Sequence, residues 1–184
     1  RRYRFIDDSL DAGFNYAVEV YPETRTSTAA TVRALYYLPY RASLKAEYRY
    51  FVDSWGLRAH TYELAYIHPL ERHWTLEGRY RFYTQTQADF YKDIFTHEGA
   101  EDYLARDKEL STFSDYTIGF GVTYEFGQGV IPHVDRLKIS SLFDYLNFTY
   151  DNFRDVTQQG FTVGSEPLYE FDAWVTRLSV TLEY

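Results

Sequence analysis

The chain has 184 residues, a formal net charge of -8, no cysteine and no methionine, and 20% of its residues are aromatic. So many aromatic residues exclude a disordered chain, and the acidic balance argues against a nucleic-acid partner. The lack of cysteine excludes disulfides and cysteine-based metal sites, and no apolar run approaches the ~18 residues of a spanning helix, so a helical membrane protein is excluded.

The first part of the chain has only a weak pattern. Arg1 is not an initiating methionine, which indicates a processed or incomplete chain. Residues 1–27 are predicted to be an extracellular loop or a partial strand, although the weak alternation at 13–20 leaves room for an additional strand there.

From residue 28 onward, apolar and polar residues alternate strictly. Tyr116, Ile118, Phe120 and Val122 alternate with threonine and glycine. Residues two apart share a face of a strand, so this period predicts an all-β chain. Seven strands are predicted, at 28–38, 42–52, 58–67, 74–87, 113–126, 137–149 and 172–184.

The predicted connectors also alternate in length. Short turns at 38–41, 68–73 and 127–132 fall at one end of the strands, and the first two carry proline, which stops strand pairing. The turn at 53–56 and the long polar segments 88–110 and 150–171 fall at the other end. This segregation is typical of an antiparallel transmembrane up-and-down β-barrel, and residues 28–184 are predicted to be strands of one such domain.

One face of the predicted strands is apolar and rich in aromatic residues. Tyrosine and tryptophan favour the boundary between hydrocarbon and lipid headgroups, so these rings are predicted to face the membrane. The alternative is aromatic packing inside a soluble β core. The predicted membrane-facing aromatic residues are Tyr48, Tyr62, Trp74, Tyr80, Phe120, Tyr124, Trp174 and Tyr184.

The opposite face is charged and is predicted to face a lumen. Opposite charges on neighbouring strands favour ion pairs, which either fill a narrow barrel or line an aqueous pore. The lumen-facing set is Arg33, Lys45, Glu47, Arg49, Glu63, Glu77, Arg79, Arg81, Glu125, Lys138, Asp144, Arg177 and Glu183.

Strand parity bears on the size of the barrel. Bacterial single-chain barrels have an even number of strands, so seven strands predict at least one more before Arg1 and favour the C-terminal part of a larger barrel. The alternative is that residues 13–20 form an eighth strand and complete a small barrel.

No catalytic residue, metal site or cofactor is predicted. The two long segments are acidic and could supply oxygen ligands to Ca²⁺ or Mg²⁺, but no EF-hand spacing occurs, so solvated acidic loops are favoured. The residues considered for metal binding or catalysis, which lack a ligand spacing or a nucleophile motif, are His60, His68, His73, His97, His133, Ser111, Ser114 and Ser140.

The last predicted strand alternates up to a terminal aromatic residue, Tyr184. This resembles the C-terminal signature that the barrel-assembly machinery of Gram-negative bacteria recognises, with tyrosine in place of the usual phenylalanine. The alternative is that this segment is an ordinary strand of a soluble β-sandwich.

Several blocks in the same order along the chain resemble the uncharacterised family called domain of unknown function 3570. They are Val20-Tyr21-Pro22-Glu23-Thr24-Arg25-Thr26-Ser27, Tyr36-Tyr37-Leu38-Pro39-Tyr40-Arg41, Tyr48-Arg49-Tyr50-Phe51, Asp53-Ser54-Trp55-Gly56, His68-Pro69-Leu70, Gly78-Arg79-Tyr80-Arg81-Phe82-Tyr83 and Ala105-Arg106-Asp107-Lys108-Glu109-Leu110-Ser111. The resemblance covers about residues 20–184. It implies an outer-membrane barrel of Gram-negative bacteria with a longer N-terminal part, and it brings no activity and no catalytic residues.

The sequence therefore leads to a bacterial outer-membrane barrel, not an enzyme, that acts as a channel or as a scaffold for a partner. The alternatives are a non-conducting barrel that anchors a lipoprotein or redox subunit, which the gene neighbourhood of the similar family suggests, and, with less support, a barrel enzyme acting on lipid. The expected partners are outer-membrane lipid and lipopolysaccharide, the barrel-assembly machinery and a small lipoprotein or periplasmic protein, and no nucleic acid.

Overall fold

A computed structural model describes residues 1–127 and 134–184. Its described part contains no α-helix and no helix long and apolar enough to cross a membrane; its one helical element is a 3₁₀ turn at Lys108–Leu110. The strands are β1 (Arg2–Ile6), β2 (Phe14–Val18), β3 (Ser27–Tyr37), β4 (Ser43–Asp53), β5 (Arg58–Leu70), β6 (Trp74–Gln85), β7 (Phe113–Phe126), β8 (Arg136–Arg154) and β9 (Leu168–Glu183).

Strands β3 to β9 form one antiparallel sheet in which each strand pairs with its neighbours in the chain. The prediction of an all-β, antiparallel, up-and-down fold is confirmed, and each of the seven predicted strands corresponds to one strand of this sheet. Strand β8 ends later than predicted, at Arg154, and β9 begins earlier, at Leu168. Both are longer because their pairing resumes at Arg154↔Leu168 after a register shift. Strands β3 and β9 form the two edges of the sheet, and closure into a barrel stays a prediction.

Two short turns join strands at one end of the sheet. In the β3–β4 turn the Leu38 amide donates to the Ala42 carbonyl at 2.8 Å, and Arg41 takes a left-handed φ of 69°. The β5–β6 turn is tighter than predicted, because β5 continues through Pro69 to Leu70 and Glu71 reverses the chain with a φ of 52°. The third predicted turn, at 127–132, lies outside the described residues except for Gly127, and so does His133.

The β4–β5 turn lies at the opposite end and is organised by Asp53. One carboxylate oxygen of Asp53 accepts hydrogen bonds from the amides of Trp55 and Leu57, both at 3.0 Å. Gly56 has a φ of 83°, and a Cβ there would collide with the carboxylate of Asp89. This turn therefore touches the long β6–β7 connection, which lies at the same end.

The N-terminal segment forms a separate two-stranded sheet from β1 and β2. Its residues 14–18 lie within the 13–20 region considered as an eighth strand, but they pair with β1 and not with the seven-stranded sheet, so this alternative does not hold. The hairpin instead contacts the β6–β7 connection through the isolated bridge Phe5↔Phe95, and Val20, just after the hairpin, forms a second bridge with Leu104.

The buried apolar core lies beside one end of the large sheet. We use "the cap" for the β1–β2 hairpin together with residues 86–112. One cluster joins Tyr3 and Phe5 to Phe95 and Leu104, each at most 6% exposed. Burying a phenylalanine or leucine side chain contributes roughly 1.5–3 kcal/mol, so these contacts hold the hairpin on the connection.

A second cluster fastens the cap to the sheet. Its buried members are Leu57, Ala59, Ala88, Phe90, Tyr91, Ala105 and Leu110, and partly buried Phe51 and Tyr83 pack against it. Ala59, Phe51 and Tyr83 lie on the same face of the sheet as Arg49 and Arg81. The cap therefore covers one end of the charged face.

Candidate functional site

One face of the large sheet collects the charged residues that the alternation predicted to face a lumen. Directly opposed residues of neighbouring strands share a face, and the register carries this face across all seven strands. It holds Arg33, Lys45, Glu47, Arg49, Glu63, Glu77, Arg79, Arg81, Glu125, Lys138, Asp144, Arg177 and Glu183. We call this surface the charged face. That it borders a lumen stays a prediction.

An ion-pair network links the charged face from β3 to β5. Arg33 Nε donates to Glu47 Oε2 at 2.6 Å, and Lys45 Nζ lies 3.2 Å from the same oxygen. Lys45 Nζ also lies 3.7 Å from Glu63 Oε2. Alternating signs on adjacent strands thus form the cross-strand pairs that the sequence predicted.

A second network joins β6, β8 and β9 through Asp144. Arg79 donates to both carboxylate oxygens of Asp144, at 3.0 and 2.5 Å, and Arg177 Nη2 donates to one of them at 3.0 Å. Asp144 is only 4% exposed, so two arginines compensate one desolvated carboxylate. Gly119 lies between Arg79 and Asp144 in the register and leaves the space in which they meet.

The sequence reading missed two members of the charged face. Asp115 accepts a hydrogen bond from Arg81 Nη1 at 2.7 Å. Arg136 lies 3.0 Å from Glu125 and 3.2 Å from Glu183. Both follow the same period-two pattern: Asp115 lies inside the predicted strand 113–126, just before Tyr116, and Arg136 lies one position before the predicted strand 137–149, so continuing the alternation assigns both to this face.

Two predicted residues of the charged face stay outside these networks. Within the part of the chain that the structure describes, Arg49 and Glu77 form no ion pair. Arg49 lies opposite Thr61 on β5, near the cap, and Glu77 lies opposite Ile67, nearer the short turns. Their charged groups are therefore not engaged by a neighbouring strand in the described chain.

The other face of the sheet carries the predicted membrane-facing aromatic residues, and we call it the apolar face. Phe120 is 51% exposed and Trp174 is 76% exposed, so no second layer covers them in the described chain. The rings pair across strands, with centroids 5.1 Å apart for Tyr48 and Tyr62 and 4.6 Å apart for Trp74 and Tyr124. The remaining predicted rings on this face are Tyr80 and, at the end of β9, Tyr184.

The acidic β6–β7 connection is not the solvated loop that its composition suggested. Arg106 donates to the carboxylate of Asp93 at 2.9 and 3.1 Å and to the Arg154 carbonyl at 2.8 Å, while its guanidinium stacks 4.5 Å from the Phe153 ring. These partners are distant in the sequence, and composition alone gave no sign of their pairing. The connection is a folded part of the cap.

A buried ion pair ties the hairpin to the β8–β9 connection. Arg4, on β1, is completely buried and donates to Glu166 Oε1 at 2.5 Å. Burial opposes ionisation of Glu166, but hydrogen bonds from the backbone and from Arg4 outweigh it, so the pKa of Glu166 lies below its ordinary value. Arg4 Nε and Nη1 have no hydrogen-bond partner in the described structure. The Glu166 carboxylate therefore provides most of the electrostatic compensation for the buried guanidinium.

The described residues contain no group of three or more histidine and acidic side chains arranged to hold a metal ion. The considered histidines His60 and His68 instead contact tyrosines, with His60 Nδ1 2.8 Å from the Tyr48 hydroxyl and His68 Nδ1 3.0 Å from the Tyr66 hydroxyl. Ser140 shares a hydrogen bond with Thr123 at 2.9 Å.

A known protein family matches the chain. The model of the family described as "Protein of unknown function (DUF3570)" matches residues 4–159, which is most of the sequence. The chain belongs to the DUF3570 family. The DUF3570 match begins within β1 and so includes the hairpin, which the resemblance from about residue 20 had left out; it ends after β8 and before β9. No curated protein and no solved structure matches the chain.

Proposed function

We propose that this DUF3570 chain forms the wall of a bacterial outer-membrane β-barrel, and that its charged face borders an inner passage for small polar solutes. The observation that carries the proposal is the division of one sheet into an exposed apolar face and an ion-paired charged face. In water the apolar face would be a large hydrophobic patch, which soluble monomers rarely expose. Against lipid the same surface is favourable.

The extent of the apolar face supports a bilayer setting. On β6 the apolar positions run from Trp74 to Phe82, close to the ~9–11 residues that a tilted strand needs to cross a bilayer. The next row turns polar, with Thr84 opposite Ser114 and Thr149 in line with it on β8. An apolar band with a polar border at the level of the cap is the pattern expected where a strand leaves the membrane.

Open space on the charged face supports a passage. A groove of about 430 Å³ lies over the sheet and is lined by Lys45, Glu63, Glu77, Arg79 and Arg177, among others. Because Glu77 lines this groove without an ion-pair partner in the described chain, it is the charge best placed to act on a passing ion. Outer-membrane lipid and lipopolysaccharide, and the barrel-assembly machinery that inserts such proteins, are the partners that this proposal entails.

Conductance tests the proposal. The full-length protein, reconstituted in a planar bilayer, is expected to give discrete current steps, and Glu77→Lys is expected to shift its selectivity toward anions. Reversal of Arg79 or Arg81 is less informative, because it would also break ion pairs with Asp144 or Asp115.

The matched control for this experiment is Glu71→Lys, in the exposed β5–β6 turn. It changes the net charge equally without placing a charge in the groove, so its selectivity should equal that of the parent protein. A folded full-length protein that carries no current would refute the passage, and equal shifts in both variants would show that Glu77 does not border it.

A second function is favoured by the cap. The cap covers the charged face at one end of the sheet. If it blocks the passage, the barrel would not conduct and would serve instead to anchor a small lipoprotein or a redox subunit. A folded protein without current that co-purifies with such a subunit would support this alternative.

A further inference from the structure

A cavity of about 460 Å³ lies between the cap and the charged face. Its floor is two rows of the sheet, in which Arg49, Thr61 and Tyr83 are directly opposed on β4, β5 and β6, and Phe51, Ala59 and Gln85 form the next row. Ala59 is the smallest of these side chains and is itself buried in the cluster that fastens the cap to the sheet.

The cavity has aromatic walls held in fixed positions. Trp55 is stacked on Tyr21 with ring centroids 5.9 Å apart, and the Trp55 indole nitrogen donates to the Thr24 carbonyl at 3.0 Å. On the floor, the Tyr83 hydroxyl donates to Gln85 at 2.7 Å, and Gln85 donates to the carbonyls of Glu109 and Ser111. The rings therefore offer apolar surface without needing further polar partners.

The charged groups of the cavity divide into paired and open ones. Arg25 is paired with Asp53 at 2.5 Å, and Arg1 is paired with Asp107. In the described structure the side chains of Arg49 and Glu109 have no hydrogen-bond or ion-pair partner, although both line the cavity. Among the described residues, the site thus presents one unpaired cation, Arg49, and one unpaired anion, Glu109, beside aromatic surface.

We propose that this cavity binds a small zwitterion with an apolar side chain, such as an amino acid or a dipeptide. Arg49 pairs with the carboxylate, Glu109 pairs with the ammonium group, and the side chain lies against Tyr83, Phe51 and Trp55. A simple anion would meet Glu109 and a simple cation would meet Arg49, so a ligand that carries both charges satisfies both groups. The inference specifies a solute class for the inner face of the proposed function, but binding itself does not require conductance.

Fluorescence of Trp55 reports on the site. Replacing Trp74 and Trp174, which lie on the apolar face, by phenylalanine leaves Trp55 as the single tryptophan of the chain. The full chain in detergent micelles is titrated with leucylleucine, with its N-acetyl derivative, which lacks the ammonium group, and with its C-terminal amide, which lacks the carboxylate. Leucylleucine should change the emission saturably, and each derivative should bind about tenfold or more weakly, because a charged hydrogen bond is lost.

Substitutions assign each charge to its residue. Arg49→Gln should weaken leucylleucine binding about tenfold to a hundredfold and abolish the difference between leucylleucine and the amide. Glu109→Gln should do the same for the N-acetyl derivative. Arg72→Gln and Glu71→Gln, in the turn at the opposite end of the sheet, are the matched controls and should leave the affinity unchanged.

Equilibrium dialysis of radiolabelled leucylleucine gives a second measurement that does not depend on Trp55. No saturable binding by either method, equal binding of the three ligands, or unchanged affinity in Arg49→Gln would overturn the inference. Because conductance is measured separately, a conducting protein without binding overturns only this inference, and a binding protein without current overturns only the passage.

Discussion

Gly119 shows how one residue permits the most buried ion pair of the charged face. It lies on β7 between Arg79 and Asp144, and a Cβ there would fall 2.6 Å from Arg79 Cγ and collide with the Asp144 carboxylate. The missing side chain lets the two charged groups meet over the backbone of β7. A glycine inside a strand otherwise weakens it, so the close approach explains its presence.

Gly119→Ala is therefore expected to destabilise the protein by roughly 1–3 kcal/mol, because it forces Arg79 and Asp144 apart. The measurement is the urea midpoint of unfolding in detergent or lipid. Gly78→Ala is the control, since Gly78 lies on the neighbouring strand and on the apolar face, with no atom within 4 Å of an added Cβ. Equal losses of stability in the two variants would show that separating Arg79 from Asp144 is not the cause of the destabilisation.

Glu166 adds an ion pair with Arg4 to the apolar contacts that attach the hairpin. Its pKa in the folded chain lies below the ordinary 4.5, because hydrogen bonds from the backbone and from Arg4 outweigh the effect of burial. A lowered carboxylate pKa adds stability that is fully present above pH 4.5 and is lost as the pH falls through the folded pKa. Docking of the hairpin should therefore weaken below about pH 4.5.

Hydrogen exchange of the β1–β2 amides, corrected for intrinsic rates, measures this docking between pH 7 and pH 3. Glu166→Gln should weaken docking by about 3 kcal/mol at neutral pH and flatten the pH dependence, since Arg4 stays buried without a charged partner. Asp155→Asn is the control: its carboxylate also has a lowered pKa, from hydrogen bonds with Thr157 and Gln158, but it does not contact the hairpin. Parallel pH profiles in the parent and Glu166→Gln would contradict the role of Glu166.

At the scale of the element, the strands could be predicted and the cap could not. Each strand of the large sheet carries its own alternation, so residues such as Ile118 and Phe120 were assigned to a face without knowledge of their neighbours. Pairing between consecutive strands then brought the charges of Arg33 and Glu47 together, as local rules require.

The cap has no such local signal. Phe95 and Leu104 are buried against Tyr3 and Phe5, some ninety residues earlier in the sequence, and no period marks any of these four as core residues. The buried Arg4 is hidden from sequence reasoning for the same reason, because its partner Glu166 lies in a different connection. The cavity that includes Arg49 and Glu109 exists only once these segments are assembled.

At the scale of the whole molecule, the two faces of the sheet require different surroundings. The core of the cap is small, and exposed apolar residues are spread along β3 to β9, including Val32, Leu64, Ile118, Phe143 and Leu178. The charged face pairs its charges across strands, from Arg33 on β3 to Arg177 on β9, with Arg49 and Glu77 as the exceptions among the described residues. A bilayer on one side and water on the other accommodates both surfaces.

Arginine substitutions at two depths test this arrangement. Ile118 lies in the row of Tyr80 and Leu64, inside the apolar band, whereas Thr84 lies in the polar row at its border. In lipid vesicles, Ile118→Arg should cost roughly 2–4 kcal/mol of folding free energy, and Thr84→Arg about 0–1 kcal/mol, because the cost of a charge falls toward the interface. Both free energies are to be measured by reversible unfolding in urea. If the apolar face bordered water, an arginine at Ile118 would cost no more folding free energy than one at Thr84. Equal costs at the two positions would therefore refute the proposal that this face contacts lipid.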